Sequence, residues 1–254
     1  MIYIEFIFLL FVVFVIFHFK LWIHLFPSRR LPVLMYHNVV PHTRDNLDVT
    51  IEAFENQLKY LKEKGFQTYF FSDLKETPKI HTKSIILTFD DGFKNNLEYA
   101  LPLLKKYGIK ATIFLNTETI EKQKKDILTP VELKQMYDSK LIEYGLHSHS
   151  HLSCKSHSIS EINQDLEKNI HLLNLWGVVF SPVFAYPYGA RPKEKQAFYK
   201  LLKNKKIDYA LRIGNKLNTF PFKNPYEICR IHVKDTDTLQ KFKLRLIFGK
   251  LKFF

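Results

Sequence analysis

From Pro32 onward, short runs of apolar residues alternate with longer segments in which apolar residues recur every three or four positions. The short runs predict buried strands, and the longer segments predict helices that pack through one face. Predicted strands cover residues 33–36, 84–89, 111–115, 141–146, 183–186, 209–213 and 228–233. Predicted helices cover residues 51–64, 160–176 and 193–202, together with one that ends at Gly108 and one that begins at Thr129. Such alternation predicts an α/β fold with parallel strands, in which active groups gather at the C-terminal strand ends.

The N-terminal segment differs from the rest, because residues 2–26 are almost entirely apolar, with an unbroken apolar stretch over residues 6–17. If the Lys20 side chain snorkels, about 20 residues can span a bilayer. The segment contains no small residue suited to signal-peptide cleavage. We therefore expect an uncleaved transmembrane anchor over residues 1–27, followed by one domain over residues 28–254. A buried core helix is the alternative.

The charges that flank this segment bear on its orientation. Glu5 precedes the apolar stretch, whereas Lys20, Arg29 and Arg30 follow it. The positive-inside rule then places the following domain on the cytoplasmic side of the membrane.

The overall composition is basic, with 38 Lys and Arg against 25 Asp and Glu and a net charge of +13. This charge favours anionic partners, but the lysines are scattered over the predicted helices and no nucleic-acid-binding motif occurs. We therefore expect a solvated basic surface and no nucleic-acid partner.

Cys154 and Cys229 are too few for a disulfide framework, and we expect buried thiols. Residues 241–248 mix basic and large apolar side chains, which suits a closing helix packed on the core or contact with a membrane surface.

Two carboxylates follow the predicted strand 84–89, in the triplet Asp90-Asp91-Gly92. Adjacent carboxylates at the end of a buried strand are costly unless a positive group binds there. One of them can bind a metal ion while its neighbour takes up a proton. By itself, the triplet is equally typical of a turn.

Three histidines follow the predicted strand 141–146, in the segment His147-Ser148-His149-Ser150-His151. The outer two are four residues apart, so a helical turn would place both imidazoles on one face. Two histidines and a carboxylate form a common open site for a catalytic divalent metal ion. We expect the middle histidine to point away. Surface histidines without a metal are the alternative.

A Tyr-Pro-Tyr-Gly segment at residues 186–189 follows another predicted strand. In order and spacing, residues 88–92, 147–151 and 186–189 resemble the TFDDG, H-S/T-x-S/T-H and third motifs of the polysaccharide deacetylase family, the NodB-homology or carbohydrate esterase 4 enzymes. Residues 32–37 resemble the opening strand of these domains. The resemblance covers about residues 31–235 and implies a distorted (β/α) barrel of the NodB-homology type.

The resemblance implies that Asp91, His147 and His151 bind a divalent metal ion, with Zn²⁺ as the first choice, and that Asp90 is the general base. The metal would polarise the acetamide carbonyl and lower the pKa of a water molecule. The backbone N–H of Tyr188 would help to stabilise the oxyanion. The implied function is a hydrolase that removes N-acetyl groups from a polysaccharide containing N-acetylhexosamine.

The chain departs from the common family pattern at two places. Many members carry an arginine where this chain has Ala185, and that arginine orients the catalytic Asp; the form found here resembles the poly-N-acetylglucosamine deacetylase subgroup. The usual Leu-Leu-His-Asp motif is absent, and residues 229–233 read Cys-Arg-Ile-His-Val. We hypothesise that Arg230 supplies the missing guanidinium beside Asp90 and that His232 is the general acid, because residues two apart on one strand face the same way. The alternative for Arg230 is an ordinary surface ion pair, and the alternative for His232 is a histidine unrelated to the reaction.

Two other functions remain open from the sequence. The family includes xylan esterases with the same metal site, so O-deacetylation of a glycan is one alternative. A sugar-binding module without turnover is the other. The main argument for it is Ala185, which stands where many family members carry the arginine that orients the catalytic Asp. We expect His37, also at a strand end, to be structural. The family implies an extracytoplasmic site, in conflict with the flanking charges.

Overall fold

The structure, a computed structural model, describes residues 2–18 and 30–250. The strands in this part of the chain are β1 (Arg30–Leu31), β2 (Val33–Tyr36), β3 (Asn38–Val40), β4 (Asp48–Thr50), β5 (Gln67–Thr68), β6 (Ser84–Phe89), β7 (Ala111–Leu115), β8 (Ile142–Leu146), β9 (Val183–Ala185), β10 (Tyr209–Ile213), β11 (Asn218–Thr219) and β12 (Ile228–His232). The α-helices are α1 (Ile2–His18), α2 (Ile51–Glu63), α3 (Leu101–Tyr107), α4 (Thr117–Glu121), α5 (Pro130–Asp138), α6 (Ile159–Leu175), α7 (Lys195–Asn204) and α8 (Leu239–Phe248).

Seven parallel strands close into a barrel in the order β2, β12, β10, β9, β8, β7 and β6, and β6 pairs again with β2. The closing pair is in register from Val33 opposite Ile86 to Tyr36 opposite Phe89. Strand β5 lies beside the first residues of β6. The prediction of parallel strands in an α/β barrel is confirmed.

The barrel strands are buried on both faces, as their continuous apolar runs predict, except on β10, where Tyr209, Arg212 and Ile213 are half-buried. One set of alternate side chains, including Val33, Ile86 and Phe114, forms a cluster inside the barrel. The other set, including Leu34 and Leu87, packs beneath the surrounding helices in the larger core. Alternation along each strand therefore decides which side chains reach the barrel interior.

A buried carboxylate, that of Glu143, lies near the N-terminal end of the barrel strands. It accepts hydrogen bonds from the backbone N–H groups of Phe71 and Ser72 at 3.0 and 3.1 Å. The hydroxyls of Thr112 and Ser181 donate to it at 3.0 and 2.6 Å. Because both oxygens are hydrogen-bonded by groups of the fold itself, this carboxylate has a structural role at the end opposite the predicted site.

The N-terminal helix α1 falls where the membrane anchor was predicted. It has 17 residues, which gives a length of about 25 Å against a hydrocarbon core of about 30 Å. No helix in the described part of the chain is both long enough and apolar enough to cross a membrane. The prediction of a single-pass anchor, and with it a membrane-anchored localisation, is therefore wrong. Lys20, Arg29 and the expected domain boundary at residue 28 lie outside the described residues.

The basic and apolar C-terminal segment forms α8. Its Phe242 and Leu246 side chains are buried in the larger core. Arg245 pairs with the buried carboxylate of Asp237, and its Nη2 donates to Asn215 Oδ1 at 2.8 Å. The helix thus packs on the core and closes the fold beside the end of β12. This is the first of the two possibilities that the sequence left open for this segment.

Candidate active site

The C-terminal edge of the barrel brings the predicted site residues together. Asp90 and Asp91 follow β6, and His147 and His151 follow β8. Arg230 and His232 lie on β12. Strand β2 alone separates β12 from β6, so barrel closure places residues 140 positions apart in contact.

Arg230 and Asp90 form a bidentate ion pair inside the barrel. Arg230 Nη1 donates to Asp90 Oδ1 at 2.5 Å, and Nη2 donates to Oδ2 at 2.8 Å. The two side chains are 0% and 4% exposed. The predicted contact is present, and this fork geometry fixes the plane of the carboxylate.

Small residues leave room for the guanidinium in the barrel interior. A Cβ atom at Gly145 would lie 2.6 Å from the Phe114 ring, so only glycine lets that ring take its place. The Arg230 guanidinium lies over the same ring, 5.4 Å from its centroid. Ala185 on β9 contributes only a methyl group. The guanidinium therefore reaches Asp90 from β12 instead of from β9.

The two adjacent carboxylates have opposite pKa shifts. Burial raises the pKa of Asp90, but the charge of Arg230 outweighs burial and holds this pKa well below its ordinary value. Burial and then the neighbouring Asp90 charge raise the pKa of Asp91 to about 7. Asp90 is thus ionised. Asp91 has no hydrogen-bonded guanidinium in the described part of the chain, and its raised pKa shows that a positive group bound there would stabilise its charged form.

Asp91, His147 and His151 each offer one ligand atom, and these atoms all lie within 4.8 Å of one another. His147 Nε2 and His151 Nε2 are 3.7 and 3.6 Å from Asp91 Oδ1. His147 Nδ1 lies 2.8 Å from the Ala185 carbonyl oxygen, which places its proton on Nδ1 and leaves Nε2 free as a ligand. Burial lowers the pKa of His147 to about 3, so the ring is neutral. The residues fit a divalent metal ion.

The loop after β8 brings the two histidines together without the expected helical turn. Their rings are 4.8 Å apart at 66°. Ser148 and His151 have φ values of 66° and 56°, and Asp91 has a φ of 69°. Non-glycine residues in this region are uncommon, and such conformations collect at functional sites. Two left-handed residues, and not a helical turn, therefore bring His147 and His151 together.

His149 points away from this cluster, in agreement with expectation. Its Nδ1 lies 3.1 Å from Thr117 Oγ1, and Asn169 Nδ2 donates to the same hydroxyl at 3.0 Å. These contacts fix α4 against α6 beneath the loop. His149 therefore supports the loop that carries the predicted ligands.

Tyr188 forms the outer wall of the site. Its side chain is 67% exposed, and its ring centroid lies 4.4 Å from that of His151, at 68°. Its φ of 58° turns the chain sharply after β9. The tyrosine ring is thus the exposed aromatic surface beside the predicted metal ligands.

Two further histidines lie on the other side of Asp90. His232 is 9% exposed, and burial followed by the nearby His37 lowers its pKa to about 4. Its backbone N–H donates to Asn215 Oδ1 at 3.0 Å. His37 Nε2 is 3.8 Å from Asp90 Oδ2. The sequence predicts only a structural role for His37 and does not point to Asn215. The position of His37 at the end of a barrel strand is the one sequence signal that places it near Asp90.

Sequence comparison places this geometry in a known family. Residues 77–207, which are 131 of the 254, match the family model for polysaccharide deacetylase. The chain is 31% identical over 204 residues to the poly-beta-1,6-N-acetyl-D-glucosamine N-deacetylase of Staphylococcus aureus (strain N315), which covers 75% of this chain and 69% of that protein. It is 35% identical over 134 residues to the YxkH protein of Bacillus subtilis (strain 168), where the match covers 51% of this chain and only 45% of its relative.

Solved structures share the barrel. The Streptococcus pyogenes deacetylase PplD in complex with acetate superposes with a TM-score of 0.77 at 20% identity, covering 87% of this chain and 99% of that one. IcaB from Ammonifex degensii superposes with a TM-score of 0.72 at 20% identity, covering 88% and 98%. The likeness at these identities shows the fold. The chain therefore belongs to the polysaccharide deacetylase family and is a deacetylase hydrolase of the NodB-homology type, as its motifs predict.

Proposed function

We propose that the chain hydrolyses N-acetyl groups of a poly-N-acetylglucosamine polysaccharide, with a divalent metal ion held by Asp91, His147 and His151. The buried Asp90–Arg230 pair beside this cluster carries the proposal, because it sets an ionised base next to an open metal site. Zn²⁺ is the first choice for two imidazoles and a carboxylate. The relatives named poly-beta-1,6-N-acetyl-D-glucosamine N-deacetylase, at 30–31% identity, support the substrate class.

Asp90 is the proposed general base. Arg230 keeps it ionised, and its Oδ2 lies 3.9 Å from His147 Nε2 on the side of the ligand cluster. A water molecule beside the cluster can give its proton to Oδ2 while its oxygen attacks the acetamide carbon. A divalent ion bound there supplies a Lewis acid that polarises the acetamide carbonyl and lowers the pKa of the attacking water.

The remaining groups act on the oxygen and nitrogen of the acetamide. The Tyr188 backbone N–H donates to the developing oxyanion, and His232 protonates the departing amine as the carbon–nitrogen bond breaks. Because the pKa of His232 is about 4 in the free chain, the ring is neutral at pH 7 before turnover. Its proton must therefore arrive during the reaction, and the proton that Asp90 took from water is the available one.

The purified 254-residue chain is expected to release acetate from β-1,6-linked N-acetylglucosamine oligomers in the presence of Zn²⁺. A chelator should abolish the release, and added Zn²⁺ should restore it. Equal amounts of acetate and new primary amine would establish N-deacetylation. Acetate release from acetylated xylan without release from the oligomers would favour the esterase function, and Zn²⁺ binding without release from either would contradict hydrolysis.

The Tyr188 side chain and backbone can be separated by Tyr188→Gly. Glycine keeps the N–H and tolerates a φ of 58°. We expect kcat to stay within about threefold and KM to rise by about tenfold, because an aromatic contact with the sugar contributes about 1.4 kcal/mol. Steady-state kinetics on the oligomers measure both. A fall in kcat of about 100-fold or more, the size of a lost oxyanion donor, would contradict a role for the backbone alone.

A further inference from the structure

The loop between the proposed ligands His147 and His151 has a shape that its own backbone does not favour. Ser148 and His151 have φ values of 66° and 56°. Left-handed conformations of residues other than glycine persist only where surrounding contacts hold them. The contacts that hold this loop therefore decide where the two imidazoles lie relative to each other.

Asp165, on α6, binds the backbone of this loop with both of its carboxylate oxygens. The backbone N–H of His149 donates to Oδ1 at 2.7 Å, and that of Ser150 donates to Oδ2 at 3.0 Å. The Ser150 hydroxyl donates to the same Oδ2 at 2.5 Å. Hydrogen bonds that a carboxylate accepts from backbone N–H groups are among the stronger kinds in proteins. One side chain thus fixes two consecutive peptide groups between the proposed ligands.

Asn169, one helical turn further along α6, reaches the same loop through a hydroxyl group. Residues four apart lie on one face of a helix. Asn169 Nδ2 donates to Thr117 Oγ1 at 3.0 Å, and this oxygen lies 3.1 Å from His149 Nδ1. The backbone N–H of Glu118 donates to the His149 carbonyl oxygen at 2.8 Å. One face of α6 therefore holds the loop backbone directly and the His149 ring through α4.

The reaction described above gives Asp165 no role. Within residues 2–18 and 30–250, the one group of side chains that could hold a metal ion is Asp91, His147 and His151. The three hydrogen bonds that the Asp165 carboxylate accepts lead to the loop between the two histidines. Its geometric effect on a bound ion therefore passes through this loop.

We propose that Asp165 is a positioning residue that sets the affinity of the chain for a divalent metal ion, because it fixes the loop between His147 and His151. The inference rests on the proposed function and adds a residue to it. A loop that is already ordered avoids the cost of ordering when the ion binds. Loss of a group that orients metal ligands without touching the ion typically weakens metal binding by about 10- to 100-fold.

Asp165→Asn tests the proposal, because an amide accepts hydrogen bonds at only one of its two ends. In the 254-residue chain, the Kd for Zn²⁺ is expected to rise by about 10- to 100-fold. Competition with a chromophoric chelator measures the Kd, at a temperature where circular dichroism shows a folded chain. A purely structural role would lower the midpoint of unfolding and leave the Kd of the folded chain unchanged. An unchanged Kd would therefore overturn the proposal.

Glu167→Gln is the matched control, since it also removes one carboxylate from α6. Glu167 is exposed and pairs with Lys205 at 2.8 Å, and its loss should leave the Kd for Zn²⁺ unchanged. Thr117→Val removes a hydroxyl of the same network and no charge. It should raise the Kd by about 3- to 10-fold, the effect of one hydrogen bond.

Salt separates geometry from charge. The effect of Asp165→Asn is expected to persist in about 0.5 M NaCl, where exposed charges are largely screened. An effect that disappears in salt, together with an unchanged Kd in Thr117→Val, would overturn the proposal and assign the change to the charge of Asp165 alone.

A second measurement needs neither metal nor turnover. In the chelator-treated chain, the His149 and Ser150 amides are expected to exchange with deuterium about 10-fold faster or more in Asp165→Asn than in the unmodified chain. Equal exchange would overturn the proposal. A chain that shows these differences and binds Zn²⁺ but releases no acetate would contradict the proposed function and support the role of Asp165. A chain that binds no Zn²⁺ would contradict both.

Discussion

Asp90→Asn is expected to lower kcat for acetate release by about 10²- to 10⁴-fold, the contribution of a general base. Asparagine keeps the shape of the side chain but cannot take the proton of the attacking water. Zn²⁺ binding should persist, because Asp91, His147 and His151 remain. Acetate release and Zn²⁺ titration on the same preparation measure the two properties.

Asp138→Asn is the matched control for this prediction, since Asp138 is exposed on α5, and it should leave kcat unchanged. The substitution at Asp90 also leaves the Arg230 charge without its partner, so the kinetics must be measured at a temperature where circular dichroism shows a folded chain. A folded, Zn²⁺-binding Asp90→Asn variant that keeps more than about a tenth of kcat would contradict the assignment of the base.

Arg230→Met is expected to lower the free energy of unfolding by about 3–5 kcal/mol, because it leaves the Asp90 carboxylate buried and unpaired. The double variant Asp90→Leu with Arg230→Met should regain most of this loss, since an apolar pair avoids the desolvation of both charges. Neither variant should release acetate at an appreciable rate. Urea denaturation of chelator-treated protein measures the stabilities without a contribution from metal binding.

Arg212→Met serves as the control for Arg230→Met. Arg212 lies on the neighbouring strand β10 and pairs with Glu227 at 2.8 Å, but its side chain is 21% exposed. We expect a loss of about 1 kcal/mol or less there. Similar losses for Arg212→Met and Arg230→Met would contradict the prediction that the buried, unpaired Asp90 carboxylate causes the loss of stability. A double variant as unstable as Arg230→Met alone would contradict it as well.

The sequence by itself determined the seven barrel strands and most of the helices, and it indicated the chemistry at the strand ends. The strands Ser84–Phe89 and Ala111–Leu115 have the predicted bounds, because an apolar run between turn residues is a local signal. Helix α5 begins after Thr129, as predicted, and Thr129 and Glu132 form a capping box there. The proposed metal ligands and the Asp pair were predicted from short motifs, because the type and spacing of such residues can be seen in a few consecutive positions.

Tertiary structure decided which distant residues meet. Arg230 reaches Asp90 only because β12, β2 and β6 are neighbours in a closed barrel, and no local pattern encodes that strand order. The same closure puts His37 beside Asp90, although the sequence predicts only a structural role for His37.

Local conformation and element length likewise required the structure. Ser148 and His151 adopt left-handed conformations, so the loop brings the two proposed histidine ligands together without a helical turn. The apolar N-terminal segment predicted a membrane span, but no helix in residues 2–18 or 30–250 is long and apolar enough to cross a membrane. Residue type and periodicity act within a few positions of the chain, whereas strand order and loop geometry depend on contacts and backbone conformations that only the folded chain fixes.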